Sequence, residues 1–320
     1  TFRYTRDLLV HPVTRDVYAA TTQGLMRSQN GGNTWTRVLG IPANVANSNV
    51  FDVQYAPTTG AIFASNANSV WRSPDGNPNT WQNISSAASG FPQGVTRVEM
   101  SVSPSNPDII YVIGESNNAA TNVFVTTNGG QSWQQRARPN NPGGSEFTNG
   151  QAWYDLEIAV DPFNSNHVIA GGVPIMRSIN GGTSWSFFAT NMHVDHHKVL
   201  FDPEQPNVVY FGNDGGIYRS SNGSAANVPS RKRNYNVTQF YACALHPEAG
   251  SNYMLGGTQD NNSLQLNGPG ISSARSVRGG DGMFCHIDQV NPNIQMVSSQ
   301  FAGYSLTTNG GQTFSNAVSL

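Results

Sequence analysis

One polar, glycine-rich octet recurs six times along the chain, and this recurrence restricts the possible folds more than any other feature of the sequence. The copies are SQNGGNTW at 28–35, SPDGNPNTW at 73–81, TTNGGQSW at 126–133, SINGGTSW at 178–185, the truncated SSNGS at 220–224, and TTNGGQTF at 307–314. Each has the chemistry of a tight turn. In the first copy Asn30 can accept a backbone N–H two residues on, Gly31 and Gly32 tolerate positive φ, and the Ser28 hydroxyl can close the bend. Short apolar runs flank every copy, so each reads as a hairpin, with the aromatic residue (Trp35, Trp81, Trp133, Trp185 or Phe314) opening the second strand and folding back over the turn. Ser73 and Asp75, Asn128, Asn180, Asn222 and Asn309 occupy the corresponding polar positions.

The leading Ser or Thr residues are separated by 45, 53, 52, 42 and 87 residues. The last gap is about twice the others, which implies a unit that has kept its length and lost its octet. A period of ~40–50 residues with several short strands per unit is the signature of a β-propeller. The expected fold is therefore all-β, a seven-bladed β-propeller of four-stranded antiparallel blades at about 5–39, 50–85, 95–137, 152–190, 196–236, 240–279 and 283–320. At 320 residues, length alone would allow two domains. The repeat instead predicts one domain over 1–320, expected to be part of a larger protein. The fourth strand of the fifth blade is obscure, and the polar stretch PNNPGGSEFTNG at 139–150 reads as an extended loop capping a face.

The pattern S/T-x-D/N-x-G-x-x-W/F resembles the Asp-box, or BNR repeat, of sialidases, sortilin-type receptors, xyloglucan-cleaving glycoside hydrolases and a photosystem assembly factor. That resemblance implies a hairpin on the outer rim of each blade, away from the usual ligand face, so the octet residues are expected to be structural. Asn replaces the usual Asp in five of the six copies, Asp75 being the exception.

Charged residues make up only 11% of the chain and the net charge is −2, so no broad field recommends nucleic acid or an anionic membrane. No run of ~18 apolar residues is present to span a membrane. A surface rich in Asn, Ser, Thr and Gly, with Lys nearly absent, fits a secreted protein that meets glycans. Cys243 and Cys285 fit no zinc or redox spacing and are expected to be two buried free thiols. Arg231, Lys232 and Arg233 form the one basic cluster, read as a solvated loop.

In a propeller the ligand face is built from the loops that lead into each blade and those joining its second and third strands. Polar residues concentrate there in the later blades. The fifth blade offers His193, Asp195, His196 and His197, with Asp214 in GNDGG; the sixth offers Gln259 and Asp260; the seventh is approached through Arg278 and Asp281. The fourth adds Trp153, Tyr154 and Asp155, aromatics suited to stacking on a sugar ring. Arg27, Arg72, Arg177 and Arg219 precede octets at one repeat position and are read as scaffold.

Three chemistries suit such a cluster. Paired carboxylates can hydrolyse a glycosidic bond when they face one another across a cleft. Here GGDGMFCHID around Asp281 and NDGGIYRS around Asp214 are similar to the acidic motifs of xyloglucan-active hydrolases, which implies Asp214 and Asp281 as the catalytic pair. Asp195, His196, His197 and Asp214 offer ligands for calcium or a transition ion. A non-catalytic site at the mouth asks only for polar side chains and stacking aromatics. The arginine triad and Tyr/Glu pair of sialidases have no counterpart. The expectation is thus a secreted binding or scaffold module for a glycan or an extracellular protein, requiring no cofactor, with Asp195, His196, Gln259, Asp260, Arg278, Trp153 and Tyr154 as ligand contacts; the alternative is a glycoside hydrolase.

Overall fold

In a computed structural model, which describes residues 4–40, 49–189, 191–221, 223, 228–231, 238–269 and 274–316, the octets form the turns their chemistry requires. The Ser28 hydroxyl accepts the amide of Gly32 at 2.8 Å and donates to Asn30 Oδ1, which in turn accepts the amide of Thr34 at 2.9 Å. Thr126 with Asn128, Ser178 with Asn180 and Thr307 with Asn309 repeat the same pair of bonds. In the second copy Asp75 Oδ1 accepts from the amide of Asn77 and the hydroxyl of Thr80, and these bonds hold its carboxyl below the usual range. The turn needs a fixed side-chain oxygen at this position, which Asn and Asp supply equally. Asn222 lies outside the described residues.

The chain between these turns forms seven antiparallel sheets, each a simple meander. The first comprises β1 (Thr5–Val10), β2 (Val17–Thr21), β3 (Gly24–Ser28) and β4 (Thr36–Leu39); the second β5 (Val50–Tyr55), β6 (Ile62–Asn66), β7 (Val70–Ser73) and β8 (Gln82–Asn83). The third contains β9 (Arg97–Val102), β10 (Ile110–Ser116), β11 (Ala119–Thr126) and β12 (Gln134–Gln135), and the fourth β13 (Glu157–Val160), β14 (Val168–Gly171), β15 (Ile175–Ser178) and β16 (Ser186–Ala189). The fifth has three described strands, β17 (His196–Phe201), β18 (Val209–Asn213) and β19 (Gly216–Ser220), with an isolated bridge from Tyr218 to Ser230 at its outer edge. The sixth is β20 (Phe240–Leu245), β21 (Met254–Thr258), β22 (Ser263–Leu266) and β23 (Ala274–Arg278), and the seventh β24 (Gly282–Ile287), β25 (Gln295–Ser299), β26 (Gly303–Thr307) and β27 (Ser315–Asn316). Seven sheets are consistent with the seven expected blades. The chain divides into two compact units, Thr1–Arg231 with the first five sheets and Lys232–Leu320 with the last two.

Within the first unit the core consists of layers between consecutive sheets. Ile110 and Val112 of β10 point into the layer shared with the second sheet, while Tyr111 and Ile113, on the opposite face of the same strand, point into the layer shared with the fourth. Successive strand residues alternate in direction, so a strand buried on both faces reads as an unbroken apolar run. Tyr18 and Leu25 meet Val53 and Ile62 between the first and second sheets, and Phe188 meets Phe211 between the fourth and fifth, with ring centroids 5.3 Å apart. Phe147 inserts into the layer between the third and fourth sheets, so the 139–150 stretch is a wedge held by Glu146, which accepts the amides of Ala120 and Thr148. In the second unit Leu255, Ile287 and Val297 form the corresponding layer.

Polar contacts stitch neighbouring sheets together. The Trp133 indole donates to the Ile84 carbonyl of the preceding sheet at 3.1 Å, and Trp185 to Ala137 at 2.9 Å, so these two reach beyond their own turns, whereas Trp35 donates to Gly32 within its turn. Gly130 lets the turn approach: a Cβ there would lie 2.4 Å from the Ile84 carbonyl oxygen. The arginines read as scaffold work from the other side, Arg27 bonding Asp16 and reaching Asn77 in the next octet, Arg177 reaching Gly223. Innermost strands do not pair edge to edge, and side chains satisfy their amides instead: Asp7 Oδ2 accepts from Val53, Asp52 Oδ2 from Met100, Gln54 Oε1 from Val102 and Ser101 Oγ from Val160.

Cys243 and Cys285 are free thiols, but Cys243 is exposed, contrary to the expected burial. It lies on β20, whose residues are largely exposed, so its side chain does not join the apolar layer. Among the described residues no helix is long and apolar enough to cross a membrane.

The stitching predicts graded losses at one tryptophan. Trp133→Ala should lower the free energy of urea unfolding by ~3–5 kcal/mol, through lost packing against Phe91 and a cavity. Trp133→Phe, which keeps a ring and removes the bond to Ile84, should cost about 1 kcal/mol by its hydrogen bond alone.

Candidate functional site

The turn leading into β13 carries the aromatic pair. Gln151 accepts the amides of both Tyr154 and Asp155, which winds the chain into one tight turn. Arg97 of β9 then fixes that turn: its guanidinium donates to the carbonyls of Ala152, Trp153, Tyr154 and Leu156, while its Nε bonds Glu99 at 2.6 Å. Clamped in this way, the Trp153 ring stands 59% exposed beside Tyr154, with ring centroids 5.6 Å apart.

Asp214 receives two side chains, one from the turn that leads into the fourth sheet and one from β17 of its own sheet. The Tyr154 hydroxyl donates to its Oδ2 at 2.9 Å, and His197 Nε2 lies 2.8 Å from its Oδ1; the phenol and imidazole meet edge to face at 4.6 Å. Asp214 sits in the β18–β19 turn, where Asn213 donates to the His193 carbonyl. Gly215 is required there because a Cβ would fall 2.3 Å from His193 Cβ. His196 does not join this group. It is buried against Phe211, and desolvation pushes its imidazole down to about 3, so it is a core residue. A register shift between His196 and Lys198 explains the correction: the strand bulges at His197, which is exposed while His196 stays buried.

Behind Asp214 lie two further carboxyls. Asp195 adopts left-handed backbone geometry (φ 62°), and one of its carboxylate oxygens comes within 4.8 Å of one on Asp214. Asp155 is fully buried, within hydrogen-bonding reach of Asp195, and neither of its oxygens meets a donor. Burial, reinforced by Asp195, pushes the Asp155 carboxyl up to about 8; burial and then Asp214 also raise Asp195.

Trp153, Tyr154 and His197 form part of the wall of a cavity of about 420 Å³. At its base the Lys198 ammonium lies 3.3 Å from Glu157 and 3.8 Å from Asp7. Asp7, Glu157 and Lys198 also line a second cavity of about 470 Å³, walled otherwise by Gln54, Ser101, apolar side chains and a proline following the innermost strand of each of the five sheets. Asp52 and Glu99 belong to the same charge group. Four carboxyls share one nearby ammonium, so burial raises the Asp52 and Glu99 carboxyls and brings Glu157 to about 7, while Glu157 above all holds the Lys198 proton more tightly. Asp7, Asp52, Glu99, Glu157 and Lys198 each stand five residues before a proline, a register visible in the sequence once the innermost strands are aligned.

In the second unit the expected residues take different roles. Asp281 Oδ1 accepts the amide of Asp260 at 2.7 Å, and Asp260 has a φ of 59°. Gln259 makes backbone bonds to Gln239 and Asn261. Arg278 is committed to the seventh sheet, donating to Ser299, Tyr304 and Ser305, so it is a clamp of the same kind as Arg97.

Solved structures that share this fold include a GH74 xyloglucanase from Xanthomonas campestris, at 18% identity and a TM-score of 0.70, covering 96% of this chain and 51% of that one. An ancestral GH74 enzyme matches at 17% identity and a TM-score of 0.54, covering 98% of this chain and 46% of that one. The chain thus spans about half the length of these structures. No protein-family model matches it, and no curated protein does. The likeness is one of fold alone, that of a β-propeller.

The buried charge group predicts a pH signature. The native Asp52 carboxyl is held above its unfolded value, so above about pH 4 the native state keeps a proton that the unfolded chain has released. The associated stability is whole in acid and is lost as pH rises toward the raised native value. Asp52→Asn keeps an acceptor for the Met100 amide and has no proton to lose. Its melting temperature should therefore gain on the parent's as pH rises from about 5 to about 8 in parallel thermal melts.

Proposed function

We propose that the chain is a secreted Asp-box β-propeller that binds glycans through the mouth framed by Trp153, Tyr154, His197 and Asp214. The exposed Trp153 indole beside the Tyr154 ring, at the wall of a cavity of about 420 Å³, is the observation that carries this reading. A sugar presents an apolar C–H face to an aromatic ring and hydroxyl donors to carboxylates, and both partners lie side by side here. Recurrent turns built on a Ser/Thr hydroxyl and an Asn or Asp oxygen support the Asp-box assignment.

A hydrolase using Asp214 and Asp281 is supported by the fold shared with xyloglucanases and by the two acidic motifs. Binding is the stronger reading because both carboxylates accept protein donors, Asp214 from Tyr154 and Asp281 from the Asp260 amide.

Xyloglucan oligosaccharides head the probes for a glycan array followed by calorimetry on the purified chain. Trp153→Ala should weaken the best binder about 10-fold or more with the melting temperature unchanged, as expected for an exposed anchor. Equal affinity in that variant would overturn the binding site. Release of reducing ends by the parent that disappears in Asp214→Asn would favour the hydrolase.

A further inference from the structure

The charges lining the cavity of about 420 Å³ are matched with one exception. Arg97 bonds Glu99 at 2.6 Å, the Lys198 ammonium lies between Glu157 and Asp7, and His197 meets Asp214. Arg6, on β1, lines the same cavity and has no hydrogen bond or ion pair among the described residues. Its guanidinium is nonetheless held in place, stacked 4.5 Å from the centroid of the Phe51 ring on β5 of the next sheet. Such a stack uses the face of the guanidinium and leaves its N–H edge to solvent. The nearest charges do not supply a counter-ion. Burial first and the Arg97 charge second hold Arg6 below the ordinary arginine pKa, and Glu99 offsets this only in part. The acids of the cavity do not form an open negative field either, because Glu99 and Glu157 are committed to Arg97 and Lys198 and burial raises both carboxyls.

We propose that the glycan taken at this mouth is acidic, a uronic-acid-bearing oligosaccharide whose carboxylate is received by the Arg6 guanidinium while a sugar ring rests on Trp153. The inference rests on the glycan reading of the mouth and adds the class of sugar to it. Guanidinium and carboxylate are matching planar groups, two N–H donors meeting two oxygens, and the charge strengthens both bonds. Stacking on Phe51 orders the donor before binding, so less conformational entropy is lost when the carboxylate arrives. A uronic acid carries its carboxylate beside an apolar C–H face, and the cavity offers a cation and the exposed Trp153 indole in one wall.

Calorimetry on the whole chain compares a short oligogalacturonate with the same oligosaccharide methyl-esterified, which keeps the sugar and removes the charge. The acid should bind at least about 10-fold more tightly at low salt, as a charge-assisted pair of hydrogen bonds warrants. Arg6→Gln should cut that ratio to about 2-fold or less, and Arg6→Lys, which keeps the charge and loses the fork, should leave an intermediate ratio. Trp153→Ala should weaken acid and ester together, since the indole meets the ring and not the charge. Melting curves establish that each variant is folded, and the ratio in the parent decides the matter without any variant. An ester or a neutral array glycan bound as tightly as the acid by the folded parent, or an undiminished ratio in folded Arg6→Gln, would overturn this inference and leave the glycan site standing. Binding of no glycan at all, acidic or neutral, would remove the site itself and the inference with it.

Discussion

Each sheet in the first unit depends on its neighbours because neither of its faces is covered by its own strands. Ile110 and Tyr111 are adjacent in sequence yet belong to two different apolar layers, one shared with the second sheet and one with the fourth. A single unit of this kind would leave both faces in water, so burial becomes favourable only when units stack. This requirement accounts for the spacing of the repeats and for the unbroken apolar runs in strands such as β10 and β14.

The octets serve the stacking as much as the turn. Gly130 and Gly76 have no room for a side chain because the turn presses on the sheet before it, against the Ile84 carbonyl in one case and the Tyr18 hydroxyl in the other. Trp133 and Trp185 then bond backbone carbonyls of the preceding sheets, while Arg27 and Arg177 reach forward to the next turn. Apolar layers set how far apart the sheets lie; these directional bonds set how they are turned and shifted relative to one another.

Strand order was legible in the sequence because turn chemistry and apolar runs are local signals, and the fifth sheet, with three strands among the described residues, coincides with the octet that lacks its aromatic. The site was legible only in part. Trp153, Tyr154, Asp195 and Asp214 stand out as polar or aromatic residues in loops, and the structure brings them together. His196 misled because a histidine pair gives no sign of which member faces outward until the strand register is known. Arg278 misled because an arginine reads as a ligand contact when the carbonyls it will meet are distant in sequence. Arg97, Glu157 and Lys198 passed unnoticed inside innermost strands, where one charged residue per strand looks incidental. Only alignment on the following proline exposes the register, and only folding shows that four acids share one ammonium.

Five octets contain an Asn-Gly dipeptide, and at the four whose asparagine is described, Asn30, Asn128, Asn180 and Asn309, the following glycine has positive φ. Asn-Gly is the dipeptide most prone to succinimide formation, and asparagine is a thermolabile residue in general. Here the asparagine oxygen is engaged by the amide four residues on, which restrains the attack of the next backbone nitrogen on the side-chain carbonyl. Hydrolysis to aspartate would preserve the acceptor, as the natural Asp75 demonstrates. Hydrolysis to isoaspartate would insert a methylene into the main chain and misplace that oxygen. The chemical lifetime of the scaffold is therefore set by which carbonyl of the succinimide water attacks.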